Sequence, residues 1–370
     1  MKKLLIRVFI LRSTVVLLGL TSVTSLSSQV IQSTFSANGI FCTLKEGMLQ
    51  VDFVTPDIVR VQYTKEAKFV GNGTDVCVPR NQERVRFSHR KEAQHFWLKS
   101  DSLIVKIDIR TGAISYFDTN GSALLREDAM IPRVGTKVFT ERVTYDEASK
   151  RVEKTANGDI EVKTVLTRDT VGASWKYKMN FRWMPSEALY GLGSHMEDYM
   201  NLKGKELYLC QHNLKAMVPV INSTAGYGLL FDAGCSMLFR DTEEVGYVEL
   251  EAAKQIDYYF MKGKTMDAVI ANYRLLTGKS PMMPLYLFGY IQSKERYVSS
   301  DDLINTLKQF RQRQIPVDMI VQDWNYWPDG QWGRMSMNPT FYPDKKKLAD
   351  EIHAMNAKLM ISIWPNAVNS

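Results

Sequence analysis

The sequence predicts two successive folds: a β-rich half, then a half in which strands and helices alternate. Three observations predict this. Leu103, Val105, Ile107 and Ile109 alternate with Lys106, Asp108 and Arg110, the period of a strand with one buried face. Near residue 265 the period lengthens, and Met266, Val269, Ile270, Tyr273 and Leu276 fall on one helical face. Beyond Pro281 and Pro284, apolar runs of strand length are separated by amphipathic runs of helix length.

The elements follow in order. MKKLLIRVFILRSTVVLLGLTSVTSLSSQ has a basic head, an apolar middle and a small-residue tail, the pattern of a secretory signal peptide over 1–28. Arg12 leaves only Val15 to Leu20 as an uninterrupted apolar core, too short for a membrane anchor. The expectation is therefore an exported chain, periplasmic or extracellular, free of the membrane once cleaved. Over 29–264, strands are expected at Ile58 to Tyr63, Leu103 to Ile109, Ile160 to Leu166 and Tyr227 to Phe231. Thr111-Gly112 turns the chain so that 114–117 (ISYF) runs back, and Asp232-Ala-Gly234 is read as a hairpin-like turn. Many short strands with turn signals imply a β-sandwich.

A linking helix is expected over 265–280, stopped by Gly278. From 281 onward, LYLFGYI (285–291) is read as a strand. Ser299 or Ser300 caps a helix carrying Leu303, Leu307 and Phe310 inward, which Ile315-Pro316 ends. VDMIVQ (317–322) is a buried strand. Pro343-Asp344 opens a helix with Leu348, Ile352 and Met355 inward, and KLMISIW (358–364) is a third strand. This βαβαβ order implies parallel strands with helical crossovers, the start of either a doubly wound sheet or a (β/α)8 barrel. Gly191-Leu-Gly193 lies in the β region without a following helix, which disfavours a nucleotide-binding fold.

Charge excludes one class of partner. The formal charge is +7, but Lys2, Lys3, Arg7 and Arg12 supply four of those charges, and without them nucleic-acid binding has little electrostatic support. The four cysteines, Cys42, Cys77, Cys210 and Cys235, are widely spaced in a chain large enough to need no staples, so buried free thiols are expected. Cys210-Gln-His212 has no second pair of ligands nearby, and no metal is expected.

The residues that carry chemistry lie at the ends of the expected parallel strands. Arg296 and Tyr297 follow the first, Asp323 and Trp324 the second, and Trp364 ends the third. In a barrel these ends form the rim that holds the active site. A carboxylate there accepts hydrogen bonds from sugar hydroxyls, and flat aromatic rings suit the faces of sugar rings. Four of the seven tryptophans lie between 324 and 364. Trp327 and Trp332 are as readily explained by loop packing. His353 is expected to be structural, and His195, Glu197 and Asp198 to lie in a solvated loop. No Ser-His-Asp arrangement emerges.

YGLGSHMEDYMNLKGK, IDYYFMKG, FGYIQSKERYVSSDDL, IPVDMIVQDWNYWPDGQWG and AMNAKLMISIWPN, in that order, resemble glycoside hydrolase family 31, most of all its bacterial α-xylosidase branch. The resemblance covers roughly 40–370, with one departure at Ile291, where that branch usually has tryptophan. It implies a β-sandwich followed by the first three strands of an incomplete (β/α)8 barrel. It also implies a retaining α-glycosidase, with α-xylosides of plant oligosaccharides as substrate and no cofactor. Asp323 matches the aspartate that binds sugar hydroxyls in the cleaved-sugar subsite, Trp364 matches a position lining that subsite, and Arg296 lies in the loop that borders it; Trp324 is a further candidate from its place just past the second strand. The nucleophile and acid/base of the family, after the fourth and sixth barrel strands, are expected beyond Ser370, so these 370 residues alone are expected to be inactive. The rivals are an α-glucosidase or α-glucosyltransferase of the same family and a non-catalytic carbohydrate-binding protein.

Overall fold

The computed structural model describes residues 29–71, 75–78, 84–155, 158–212, 214–242 and 244–363. The expected signal segment and Trp364 lie outside the described residues. The chain divides into two compact units after Lys279.

The first unit is a sandwich of two antiparallel sheets. One sheet has eight strands in the order Val30–Phe35, Gly39–Leu44, Gly47–Thr55, Ile58–Thr64, Ile256–Lys262, Tyr227–Phe231, Val220–Ser223 and Leu189–Gly191. Its fourth and fifth strands meet across the whole unit, with Ile58 opposite Met261 and Tyr63 opposite Ile256. The other sheet runs Glu206–Leu209, Met237–Arg240, Gly246–Ala253, Gly158–Arg182, Ala123–Glu127, Ile114–Asp118, Leu103–Asp108, His95–Ser100 and Phe87–Glu92. Strand Arg133–Thr155 pairs along Gly158–Arg182 as a long hairpin. The expected alternation holds in Leu103–Asp108, where Leu103, Val105 and Ile107 are fully buried between the sheets.

The core is closed by aromatic rings and one buried charge pair. The Tyr116 ring of one sheet stacks on Phe260 of the other at 3.9 Å. The Tyr258 hydroxyl donates to Glu127 at 3.1 Å, which leaves it to accept from Tyr116 at 3.0 Å. Glu127 also pairs with Arg133, both side chains fully buried, and takes the Ile114 amide at 2.8 Å. The same Arg133 Nη2 that pairs with Glu127 also donates to the Gly112 carbonyl at 3.0 Å, so the Thr111-Gly112 turn is tied to the same pair.

One expectation in this unit is corrected, and one strand is longer than expected. Asp232-Ala-Gly234 does not close a hairpin: Tyr227–Phe231 lies in the eight-stranded sheet and Met237–Arg240 in the other, so the turn carries the chain between sheets. The turn residues are those of a hairpin, but the pairing of the flanking strands is settled by distant partners. The segment read as a strand from Ile160 to Leu166 is a small part of the hairpin strand Gly158–Arg182.

Helix Met266–Thr277 packs on the eight-stranded sheet. Thr265 caps it through the Ala268 amide. Val269 and Leu276 are buried with Ile58, Val220, Leu230, Tyr259 and Met261. Full burial of two such side chains contributes roughly 1.5–3 kcal/mol each. Ile270, expected on the inner face, is 43% exposed because the buried stripe is narrower than the apolar one.

The second unit holds three parallel strands in sequence order, Ile291–Gln292, Met319–Gln322 and Lys358–Ile361. Helices Ser300–Gln312 and Lys345–Ala354 make the crossovers, capped by Ser299 and Asp344. Leu303, Leu307, Leu348 and Ile352 point into a core with Val317, Ile320 and Ala357. The expected first strand is corrected. Leu285–Phe288 forms a 3-10 turn, with Leu285 86% and Phe288 76% exposed, and pairing starts only at Ile291. An unbroken apolar run does not by itself distinguish a strand from a helical turn. Here Pro284 sets the turn's start, and the Asp318 carboxylate takes the Tyr290 amide just before the strand.

Candidate functional site

The rim builds up from the ends of the parallel strands. Gln322 ends the middle strand inside the core and is fully buried. Its side-chain amide donates to the Tyr297 carbonyl at 3.0 Å. The Tyr342 hydroxyl lies 2.7 Å from that carbonyl and 2.9 Å from Gln322 Oε1, sharing its proton between two acceptors. Burial pushes the Tyr342 hydroxyl up to about 12, so it remains a donor at neutral pH. Gln292, ending the first strand, donates to the Tyr297 hydroxyl at 3.1 Å and accepts from Tyr290 at 2.6 Å. Beside the middle strand, the Ser362 amide donates to the Gln322 carbonyl at 2.9 Å. These bonds fix the relative heights of the strand ends and the path of the loop between Gln292 and Ser299.

On this base stand three of the expected site residues. Asp323 is half-buried immediately past Gln322. Trp324 and Arg296 are brought together, the guanidinium carbon 5.9 Å from the indole centroid. A cation over an aromatic face holds both side chains in place. Asn325 then takes a left-handed conformation (φ 56°), bending the chain away from the strand direction. Trp364, the fourth expected residue, lies outside the described residues.

The segment from Asp323 to the cap at Asp344 has no regular structure, yet it is anchored. Tyr326, Trp327, Met337 and Tyr342 are buried in the unit's core. Loops of this length in a compact domain usually serve function. Trp327 is thus a packing residue, whereas Trp332 is 57% exposed. His353 is exposed on its helix rather than packed.

A second polar cluster lies in the sandwich. His195 Nδ1 is 2.8 Å from Glu197, and Lys215 donates to the same carboxylate at 2.6 Å. The His195 side chain is only 8% exposed. The Lys215 ammonium holds the Glu197 carboxyl below its ordinary range, against a smaller opposing effect of burial, with His195 adding to the lowering. The solvated loop expected here is therefore a paired cluster, beside a cavity of about 400 Å³ that Tyr190, Ser194, Asp198, Tyr199 and Met200 also line. Gly191 and Gly193 are required by close approach. Both have positive φ, and a Cβ would come within 2.1 Å of the Val220 and Ala216 carbonyls respectively.

None of the four cysteines forms a disulfide; Cys42 is buried and the other three, expected to be buried, are half-buried. Among the described residues, no three His, Cys, Asp or Glu side chains cluster as a metal site requires.

Sequence reasoning missed the supporting network of Gln292, Tyr297, Gln322 and Tyr342. Its one available signal is a glutamine closing an otherwise apolar strand, since a buried amide must find partners.

The β-sandwich is thus followed by parallel strands whose ends carry a carboxylate beside an aromatic–guanidinium pair, groups suited to the hydroxyls and ring faces of a sugar. Comparison with known families makes this specific. The model of the glycosyl hydrolase 31 N-terminal galactose mutarotase-like domain matches residues 48–239, and that of the glycosyl hydrolases family 31 TIM-barrel domain matches 280–370. The chain belongs to glycoside hydrolase family 31. It is 31% identical over 330 residues to an α-xylosidase of Saccharolobus solfataricus, covering 86% of this chain and 40% of that protein. It is 23% identical over 331 residues to an uncharacterized family 31 glucosidase, ORF2, of Pseudescherichia vulneris, covering 89% and 59%. In fold it matches a GH31 α-xylosidase from a soil metagenome, solved with xylose, at a TM-score of 0.72 and 23% identity over 90% of this chain and 47% of that one. The chain thus spans 40% and 59% of the lengths of these two sequence relatives.

Proposed function

We propose that the whole protein is a retaining α-glycosidase that removes α-linked xylose from plant oligosaccharides. Asp323 accepts hydrogen bonds from hydroxyls of the sugar to be cleaved, and Arg296 and Trp324 border its subsite. Trp364 lines the same subsite in this reading. The observation that carries it is the position of Asp323, past the end of a parallel strand and beside the Arg296–Trp324 pair, in a chain of this family. The resemblance to α-xylosidases in sequence supports xylose over glucose.

Retaining hydrolysis needs a nucleophile and an acid/base about 5 Å apart. In this reading both are supplied by later barrel strands, and Asp323, Arg296 and Trp324 hold the sugar without themselves breaking the bond. No organic cofactor or metal takes part. The basic, apolar start directs export, and the mature chain begins after residue 28. N-terminal sequencing of the secreted or periplasmic protein checks that, and a mature chain still starting at Met1 refutes it.

The function is tested with 4-nitrophenyl α-xyloside and α-glucoside. The expected result is a higher kcat/KM on the xyloside, reduced at least about 100-fold by Asp323→Ala, as loss of hydrogen bonds to a charged group predicts. Preference for the glucoside moves the substrate to the related α-glucosidase reading, which the similarity to the ORF2 glucosidase supports. Turnover by the 370-residue chain itself, abolished by Asp323→Ala, overturns the division of labour between rim and later strands. Unchanged activity in Asp323→Ala overturns the role of Asp323.

A further inference from the structure

The hairpin Arg133–Thr155/Gly158–Arg182 belongs to the sandwich only at its base. The strand Gly158–Arg182 pairs with Gly246–Ala253 from Trp175 to Phe181, and with Ala123–Glu127 at Phe181 and Arg182. Beyond Lys137, opposite Trp175, the two hairpin strands pair only with each other as far as Thr155 and Gly158. An isolated two-stranded ribbon is marginally stable in water unless one of its faces is covered.

The two faces of this arm differ in kind. The register places Phe139 opposite Ala173, Glu141 opposite Thr170, Val143 opposite Arg168 and Tyr145 opposite Val165 on one face. The other face carries one apolar residue, Val138 opposite Ser174, then Thr140 opposite Gly172, Arg142 opposite Asp169 and Thr144 opposite Thr167. The first face is apolar yet open: Phe139 is 62%, Tyr145 46% and Val165 40% exposed. At the arm's base the same face, through Arg133, Tyr177 and Met179, is buried in the sandwich core. The apolar side of the sheet therefore continues past the end of its covering layer. An arm bathed in water on both sides gives no reason for such segregation.

Charge selects the occupant. Between residues 137 and 171 the sequence has seven basic and seven acidic residues, so the arm is neutral. On the apolar face, Glu141 and Arg168 pair with each other at 3.2 Å. A strongly charged partner, nucleic acid or anionic lipid, gains nothing here, and an identical neutral face is not repelled. We propose that this face docks against the same face of a second copy of the chain, the two arms stacking as a small sandwich about a two-fold axis. The 15 paired positions from Lys137 to Thr155, at roughly 3.3 Å each and two strands wide, offer on the order of 500 Å² per copy, or about 1,000 Å² in total, the lower bound of a specific interface.

The test is sedimentation equilibrium of the intact protein up to about 100 µM, the range in which an interface of this size assembles. A dimer is expected. Phe139→Asp and Val165→Asp, both outside the sandwich core, raise its dissociation constant at least about 100-fold. Thr140→Asp and Thr144→Asp, on the opposite face, leave it within about threefold. Circular dichroism checks that each variant is folded. A wild-type monomer throughout that range overturns the proposal, whether another part of the protein or only solvent covers the face. A dimer indifferent to Phe139→Asp and Val165→Asp, or equally sensitive to both sets, overturns it as well.

Discussion

Gln322 and Asp323 are neighbours with opposite tasks. One is sealed in the core and levels the strand ends, and the other is half-exposed on the rim they form. Asp323 was legible because an acid directly after a buried parallel strand is out of place in a core. Gln322 was not, because its partners Tyr297 and Tyr342 lie 25 and 20 residues away in sequence. Cys42 was expected to be a buried thiol, and it is the one of the four cysteines that is fully buried. Its full burial pushes the thiol up to about 12, with Arg133 opposing only in part. The thiolate is the reactive form, so at pH 8 only on the order of one Cys42 in ten thousand is nucleophilic. Iodoacetamide treatment of the native protein followed by peptide mapping is expected to label Cys77, Cys210 and Cys235 before Cys42. Labelling of Cys42 at their rate contradicts the burial described.

Elements with a cap and a single apolar stripe were the most readable. Ser299 and Asp344 accept amide hydrogen bonds at the starts of Ser300–Gln312 and Lys345–Ala354, where the local pattern placed helix starts. Ser299→Ala is expected to destabilise the second unit by about 1 kcal/mol, and Ser299→Asp to leave it unchanged, measured by thermal melting. Elements defined by what they touch were less readable. Leu285–Phe288 looks like strand from composition, yet Pro284 and the Asp318 carboxylate arrange it as a turn. The long hairpin reads as scattered short strands because its apolar residues are diluted by threonines and charges, and its bulges at Val171 and Leu166 break the alternation.

At the scale of the molecule, the sandwich and the parallel-strand unit follow from the two hydrophobic periods, whereas the order of strands within each sheet does not. Pairing of Ile58–Thr64 with Ile256–Lys262 joins segments nearly 200 residues apart, as the Arg60–Asp257 bond at a separation of 197 shows. The buried Glu127–Arg133 pair is another global feature invisible to local pattern. Arg133→Ala leaves the buried Glu127 carboxyl without its partner, a loss of about 3–5 kcal/mol. The paired change Glu127→Leu with Arg133→Met recovers most of it. Urea midpoints of the three proteins check this, and an Arg133→Ala variant as stable as wild type refutes it.

That distant strand pairing has a consequence in time. The eight-stranded sheet stays split into two separate pieces until the residues around Ile256–Lys262 have been made. At about 5–20 residues per second, the segment around Ile58–Thr64 waits on the order of 10–40 s for its partner. During that interval the nascent chain shows apolar strand edges to whatever surrounds it, and a holding chaperone has its longest opportunity to bind.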